Sequence, residues 1–170
     1  MEFYMENLSY LIDYHLWAHK RLLATLPELT AEEWTIDTRG SFPTLRALYQ
    51  HILEGDYRWL QRWKGVPFAE TPAHYRVEDY ESLDRLFRPQ LEEMVVEAKR
   101  FLESGPERPV FFITGKGLKV TQPFWQTFYQ VTNHGTYHRG QVAHMLRAMG
   151  HAPAGTDIFL FFQERNQENA

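Results

Sequence analysis

Residues 123–150 read PFWQTFYQVTNHGTYHRGQVAHMLRAMG, and this stretch decides the fold. Pro123 suits the first position of a helix, because the N–H that proline lacks would be unpaired there anyway. Gly150 suits the left-handed residue that commonly ends a helix, so the helix is predicted to run to Met149. Apolar or small residues recur along it at helical spacing, namely Phe128, Val131, Gly135, Val142 and Met145. The stretch therefore predicts a long helix with one face in a core.

Three earlier segments show the same spacing of apolar residues and are also predicted to be helices. They cover residues 7–26, residues 45–64 and a segment from about Asp79 or Ser82 to Glu103. Ser41 or Thr44 is predicted to cap the second of these helices. Pro89 lies inside the third and should bend or break it, at a cost of about 3 kcal/mol in an exposed position.

The stretch between the third and fourth helices favours β-structure instead. Residues 110–113 and 118–121 are rich in β-forming residues and flank a turn with two glycines. We expect a short β-hairpin there, with Thr121 or Gln122 as the cap of the last helix. The apolar strip 158–162 that follows the last helix must pack against another element.

The composition limits the class of protein. The 44% hydrophobic and 24% charged residues are typical of a soluble globular protein, and the length suits one domain spanning residues 1–170. The pattern of the segments above predicts a mainly α protein, a four-helix bundle with a short β-hairpin before the last helix. A net charge of −4 argues against nucleic acid as a partner. The lack of cysteine excludes disulfides and a protein thiol nucleophile, so thiol chemistry would need a co-substrate. Acidic residues near the start and the lack of a long apolar run predict a cytoplasmic protein without a membrane partner.

Three histidines are candidates for a metal site. His134 and His138 are four residues apart, so their side chains lie on one face of the predicted helix, beside its apolar positions. This is the spacing of two imidazoles that bind one metal ion, and His51 on the second helix could supply a third. Buried imidazoles are costly unless their nitrogens are satisfied, which a divalent cation would do. Three glycines would permit close helix approach or leave room for a ligand: Gly55, Gly135 and Gly140.

Histidine pairs at this spacing are common, and most of them are exposed or hydrogen-bonded in a core. His15 and His19 form a second such pair, for which a structural role or a place in the wall of a pocket is favoured. The other three histidines are predicted to lie away from the site: His74, His144 and His151. No histidine has a glutamate three residues before it, which excludes the usual di-iron carboxylate bundle.

Three segments carry a resemblance to a known family: HILEGDYRW (51–59), HGTYHRGQ (134–141) and PAGTDIFLF (153–161). With these segments in this order, the chain resembles the DinB family of bacterial proteins, which are described as DinB/YfiT-like metalloenzymes and include bacillithiol S-transferase-like members. The resemblance implies an up-down-down-up four-helix bundle, commonly a homodimer, with a three-histidine metal site. By this analogy His51, His134 and His138 are the ligands, and zinc or nickel is the expected ion, with iron or manganese also compatible.

The resemblance also implies a range of functions. Three histidine ligands leave an open position on the ion, which is typical of a catalytic site. We therefore expect a metal-dependent transferase that activates a low-molecular-weight thiol. The alternatives are a metal-dependent hydrolase and a non-catalytic metal-binding stress-response protein. A helix bundle that binds no metal is a further alternative. Glu54 or Asp56 could orient His51, or both could be surface charges. Tyr137 and Arg139 could serve a substrate anion or an interface. His19 stands where family members often have asparagine.

Overall fold

Five α-helices and one two-stranded hairpin make up the described part of the chain. The computed structural model describes residues 2–168, with side chains from residue 6 onward. Its elements are α1 (Glu2–Leu23), α2 (Leu45–Trp63), α3 (Tyr80–Ser104), β1 (Pro109–Ile113), β2 (Lys119–Pro123), α4 (Phe124–Ala148) and α5 (Ile158–Glu168). Two short 3-10 turns, Leu26–Glu28 and Glu33–Thr35, lie between α1 and α2. The four predicted helices and the hairpin are confirmed, whereas α5 and the 3-10 turns were not predicted.

Two buried apolar clusters show in which direction the four long helices run. The first joins the end of α1, the beginnings of α2 and α3 and the end of α4, and includes Leu22, Leu48, Leu83 and Leu146. The second joins the opposite ends of the same helices and includes Leu8, Leu60, Met94 and Phe128. Helices α1 and α4 therefore run one way and α2 and α3 the other, which is the up-down-down-up arrangement. Because α2 and α3 are parallel, a long crossover over residues 64–79 joins them.

Local signals fix most helix ends. The Thr44 side chain accepts a hydrogen bond from the N–H of Ala47 at 3.1 Å, as expected of the cap of α2. Asp79 and Ser82 form a reciprocal capping box at the start of α3. Helix α1 ends at Leu23, three residues before the predicted end, because the proline of the next turn cannot donate to the carbonyl of Leu23.

Pro89 does not break α3, which continues through it to Ser104. The hydrogen bond that proline forfeits is the one to the carbonyl of Arg85, and both residues are exposed. Water can therefore take the place of the missing donor, and the predicted break is wrong.

The start of α4 also differs from the prediction. Pro123 is the cap rather than the first helical residue, and no side chain caps the helix. The N–H groups of Phe124 and Trp125 donate to the carbonyls of Arg108 at 2.9 Å and Pro106 at 3.1 Å. The predicted caps, Thr121 and Gln122, lie in β2. Because the hairpin leads directly into the helix, backbone acceptors in the loop before β1 replace a side-chain cap.

The last apolar strip forms α5, which packs on α1. Phe161 is buried against the rings of Tyr14 and Trp17. The hydroxyl of Tyr14 donates to the carbonyl of Thr156 at 3.0 Å, and the indole N–H of Trp17 donates to Glu164 at 2.9 Å. Residues 158–168 thus cover the outer face of α1.

A layer of buried polar side chains separates the two apolar clusters. Its fully buried members are His15 and His19 on α1, Asp56 on α2, and His138 and Arg139 on α4. Buried polar groups are costly without partners, so this layer is where function is to be sought.

Among the described residues, no helix is both long and apolar enough to cross a membrane.

Candidate metal centre

Three imidazoles from two facing helices converge on one point. Nε2 of His51 on α2 lies 3.2 Å from Nε2 of His134 and 3.2 Å from Nε2 of His138, both on α4. The Nε2 atoms of His134 and His138 are 3.0 Å apart. The three residues therefore form a group that could hold a metal ion. The structure brings together the three histidines that the sequence predicted as ligands.

The nitrogen spacing fits a common ion. Two imidazole nitrogens bound at about 2.0–2.1 Å lie about 2.9 Å apart when they subtend a right angle at the ion and about 3.4 Å apart at the tetrahedral angle. The observed separations of 3.0–3.2 Å fall between these values. The three rings cannot satisfy all three contacts by hydrogen bonds, because each neutral Nε2 either donates or accepts and at least two of the three atoms must then be alike.

The hydrogen bonds of His138 decide which of its nitrogens carries the proton. Nδ1 lies 2.6 Å from Oε1 of Gln141, one turn further along α4, so Nδ1–H donates and Nε2 keeps its lone pair. The amide of Gln141 in turn donates to the hydroxyl of Ser41 at 2.9 Å. Sequence reasoning missed this role of Gln141, although its position three residues after His138 was a usable signal. No pattern in the sequence linked Ser41 to the site.

Burial favours the neutral form of two of the three histidine rings. It lowers the pKa of His51, and it lowers that of His134 to about 4, with the neighbouring His138 acting in the same direction. The carboxylate of Asp56 opposes both shifts. Neutral imidazoles are the form that binds metal. At neutral pH each of these two rings therefore has one nitrogen lone pair that can bind an ion.

Aromatic rings cover one side of the site and a cavity opens on the other. The ring of Phe42 packs 4.8 Å from that of His51 and 5.6 Å from that of His138, centre to centre. On the other side, His51 and His134 line a cavity of about 590 Å³. A larger cavity of about 710 Å³ elsewhere on α2 is lined by none of the three histidines.

A second buried polar cluster lies beside the first. His15, His19 and Asp56 offer ligand atoms within 4.8 Å of one another, and Nε2 of His15 is 3.8 Å from Oδ2 of Asp56. A cation is already present, because the guanidinium of Arg139 lies 3.1 Å from Nε2 of His19 and interacts with the charge of Asp56. A second metal ion would be repelled by this guanidinium. Of the two groups that could hold a metal ion, the charge of Arg139 therefore favours His51, His134 and His138.

Arg139 is enclosed in the bundle and is not a surface residue. Its side chain is 1% exposed, although it lies in the wall of a cavity of about 600 Å³ that none of the three convergent histidines lines. It donates to the hydroxyls of Tyr14 at 3.0 Å and Thr136 at 2.9 Å. Gly135, one turn earlier on α4, leaves the space that its guanidinium occupies. The buried histidine that Arg139 contacts, His19, belongs to the same network, which is consistent with the structural role favoured for the His15–His19 pair.

The two acidic residues after His51 have different surroundings. Glu54 accepts hydrogen bonds from Gln50 and Arg58 and lies partly exposed at the rim of the cavity. Asp56 is fully buried, so it is not the surface charge that the alternative interpretation expected. Neither of its carboxylate oxygens has a hydrogen-bond partner among the described residues. The partners of Glu54 do not include His51, and the ring nearest to Asp56 by ion-pair distance is that of His15.

Tyr137 and the three other histidines lie at the surface or bind residues outside the candidate site. Tyr137 is 63% exposed, and its ring meets that of His138 edge-on at 5.1 Å. His74 and His144 are exposed, and His151 binds Glu33 at 2.7 Å. These three histidines lie outside the site, as predicted.

Two glycines on α4 should respond to alanine in opposite directions. A Cβ at Gly135 would meet Arg139 at 2.8 Å, His19 at 3.0 Å and His15 at 3.2 Å, whereas one at Gly140 would meet nothing within 4 Å. We expect Gly135→Ala to destabilise the fold by about 1–3 kcal/mol and Gly140→Ala to stabilise it by up to about 1 kcal/mol. Urea denaturation of both variants measures this. A Gly135→Ala variant that is as stable as the unaltered protein would contradict the packing described for Gly135. The open surroundings of Gly140 do not support its expected role in close helix approach, whereas Gly140 does line a cavity of about 600 Å³.

The fold and the site define a helix-bundle protein with a three-histidine group suited to a metal ion. The profile of the DinB family matches residues 5–169. The chain belongs to the DinB family.

Similar proteins agree with this assignment. Protein DinB of Bacillus subtilis (strain 168) is 27% identical over 175 residues, covering 94% of this chain and 96% of its own. A DinB-like protein from Bacillus cereus ATCC 10987 has a crystal structure that matches with a TM-score of 0.64 at 17% identity, over 91% of this chain and 96% of its own. A DinB-like protein from Bacillus subtilis matches with a TM-score of 0.62 at 17% identity, over 85% and 94% of the two chains. At these identities, the two structures support the fold alone.

Proposed function

We propose that this protein is a metal-dependent enzyme that binds one divalent ion through His51, His134 and His138 and activates a low-molecular-weight thiol for transfer to an electrophile. The observation that carries the proposal is the convergence of three Nε2 atoms at 3.0–3.2 Å. Zinc or nickel suits three neutral imidazoles, and iron or manganese is compatible with them as well.

The external thiol follows from the chain's chemistry and its family. An ion at this site would lower the pKa of a thiol bound to it. The chain contains no cysteine, so the sulfur must come from a co-substrate. In the proposed transfer the thiol sulfur forms a bond to an electrophilic atom, the bond from that atom to its leaving group breaks, and the thiol proton passes to solvent. The resemblance to bacillithiol S-transferase-like proteins supports this choice of reaction.

The chain's own residues prepare the site. Gln141 holds the proton of His138 on Nδ1, which leaves Nε2 free to bind an ion. Gly55 lets the ring of His134 approach α2, since a Cβ there would lie 3.1 Å from Cε1 of that ring. Phe42 covers the rings of His51 and His138 and limits the access of water from that side.

The proposal also covers the oligomeric state, the location and the partners of the enzyme. We expect a homodimer in the cytoplasm that acts on a small molecule and binds neither nucleic acid nor membrane. The acidic net charge of −4 and the lack of cysteine support this setting.

A turnover assay tests the function. Zinc-loaded and chelator-treated protein is incubated with glutathione and chlorodinitrobenzene, and formation of the thioether is followed by absorbance. We expect conjugation by the loaded protein and its loss after chelation. A nitrophenyl ester is offered in parallel as a probe of hydrolysis.

The other outcomes identify the rival functions. If removal of the metal lowers the melting temperature but neither probe is consumed, the protein is a non-catalytic metal-binding protein. If only the ester is cleaved, the protein is a hydrolase. Either result would refute the transferase.

A further inference from the structure

One wall of the cavity beside the histidines is a single face of α2. His51, Gly55, Arg58 and Arg62 line the cavity and follow one another at spacings of three or four residues. With a rise of about 1.5 Å per residue, Arg62 lies about 16 Å along the helix from His51, and an arginine side chain spans part of this distance. The cavity volume of about 590 Å³ is suited to a small molecule.

Aromatic rings hold the guanidinium of Arg62 in place. It lies 4.5 Å from the centre of the Trp59 ring and 4.9 Å from that of the Phe112 ring. Its NH2 group donates to the carbonyl of Ile113 at 3.4 Å, which is a weak bond. Stacking of this kind fixes a guanidinium while leaving most of its N–H donors available.

Arg62 has no carboxylate partner among the described residues. Its neighbour Arg58 is paired with Glu54 at 2.7 Å, so the charge of Glu54 is already balanced. The other acidic residue of the cavity wall, Glu70, is exposed and forms no ion pair with Arg62. The cavity wall therefore contains a fixed, unbalanced positive charge at the end opposite the histidines.

We propose that Arg62 binds the carboxylate of the small molecule that occupies this cavity, so that the ligand is an acid whose reactive group lies at the three histidines. The inference rests on the proposed function, because it takes the histidine site as the reacting end. Arg62 would act by selecting the substrate and not by chemistry. A planar guanidinium with free donors matches a carboxylate with two hydrogen bonds.

A thiol with free carboxylates and its ester, in which the carboxylate charges are removed, test the inference. Cobalt-loaded protein is titrated with glutathione and with glutathione diethyl ester, and the absorbance of the sulfur–cobalt bond measures binding. We expect glutathione to bind about 10- to 100-fold more tightly than its ester, as a charge-assisted hydrogen bond would give. In Arg62→Gln this preference should disappear while the affinity for the ester stays the same.

Two further variants complete the design. Arg62→Lys keeps the charge and should keep part of the preference, even if loss of the stacked side chain in Arg62→Gln disturbs the fold. The control is Arg85→Gln, because Arg85 is an exposed arginine on α3 outside the cavity. This variant should keep the same preference for glutathione over its ester as the unaltered protein.

The outcomes separate this inference from the proposed function. If no thiol gives a sulfur–cobalt absorbance, the proposed function itself fails. If the acid and its ester bind equally well to the unaltered protein, or if Arg62→Gln keeps the preference, the role of Arg62 is refuted and the proposed function stands.

Discussion

Replacing His138 by alanine should remove the metal-binding capacity of the protein without unfolding it. One ligand nitrogen of three is lost, and the remaining two cannot hold an ion against a chelator. Structural zinc sites with four protein ligands have binding free energies of about 10–16 kcal/mol, which is roughly 2.5–4 kcal/mol per ligand. The loss of one ligand should therefore weaken metal binding by about 100-fold or more. The helical signal in circular dichroism should persist, because apolar clusters on both sides of the polar layer hold the helices together. Competition with a colorimetric chelator measures the affinity.

The matched control for this variant is His144→Ala. His144 lies on the same helix but is exposed, and its ring is not among the three that converge. The His144→Ala variant should bind metal with the same affinity as the unaltered protein. Equal loss of metal from the two variants would show that the site has been assigned to the wrong face of α4.

Replacing Asp56 by asparagine should weaken metal binding about 10- to 100-fold, as is usual for residues that support the ligands of a metal. The carboxylate is fully buried, lacks hydrogen-bond partners among the described residues, and acts electrostatically on both His51 and His134. Its negative charge lowers the cost of placing a divalent cation at the neighbouring histidines. Asparagine keeps the shape and removes the charge, so the effect should appear in affinity and not in helical content.

A carboxylate outside the polar layer provides the control. Asp84 lies on α3, where it pairs with Arg88 at the helix surface. Such pairs contribute little, so Asp84→Asn should leave metal affinity unchanged. If Asp56→Asn binds the ion as tightly as Asp84→Asn does, the buried charge does not support the site.

The helices were predictable because their signals are local. The cap Thr44, the Asp79–Ser82 capping box and the terminating Gly150 each act within a few residues, and the structure shows all of them. The start of α4 was not predictable in detail, because its first N–H groups bind carbonyls in the loop before β1. Contacts of that kind depend on the tertiary fold and leave no periodic trace in the sequence.

In the candidate site, too, the features with local signals were predictable and those that depend on the tertiary fold were not. The pair His134–His138 follows from helical spacing, and His51 follows from its neighbours on α2 and from the family resemblance. The environment of Arg139 was missed, because a charged residue was expected to face a ligand or a partner, whereas Gly135 makes room for it inside the bundle. The isolation of Asp56 was missed as well, since a helical pattern shows which face a residue occupies but not whether donors face it.

Anomalous scattering from a crystal of the metal-loaded protein locates the ion among the buried histidines. We expect one strong peak about 2.0–2.1 Å from Nε2 of His51, His134 and His138. No peak among these nitrogens, or a peak between His15, His19 and Asp56 instead, would contradict this expectation.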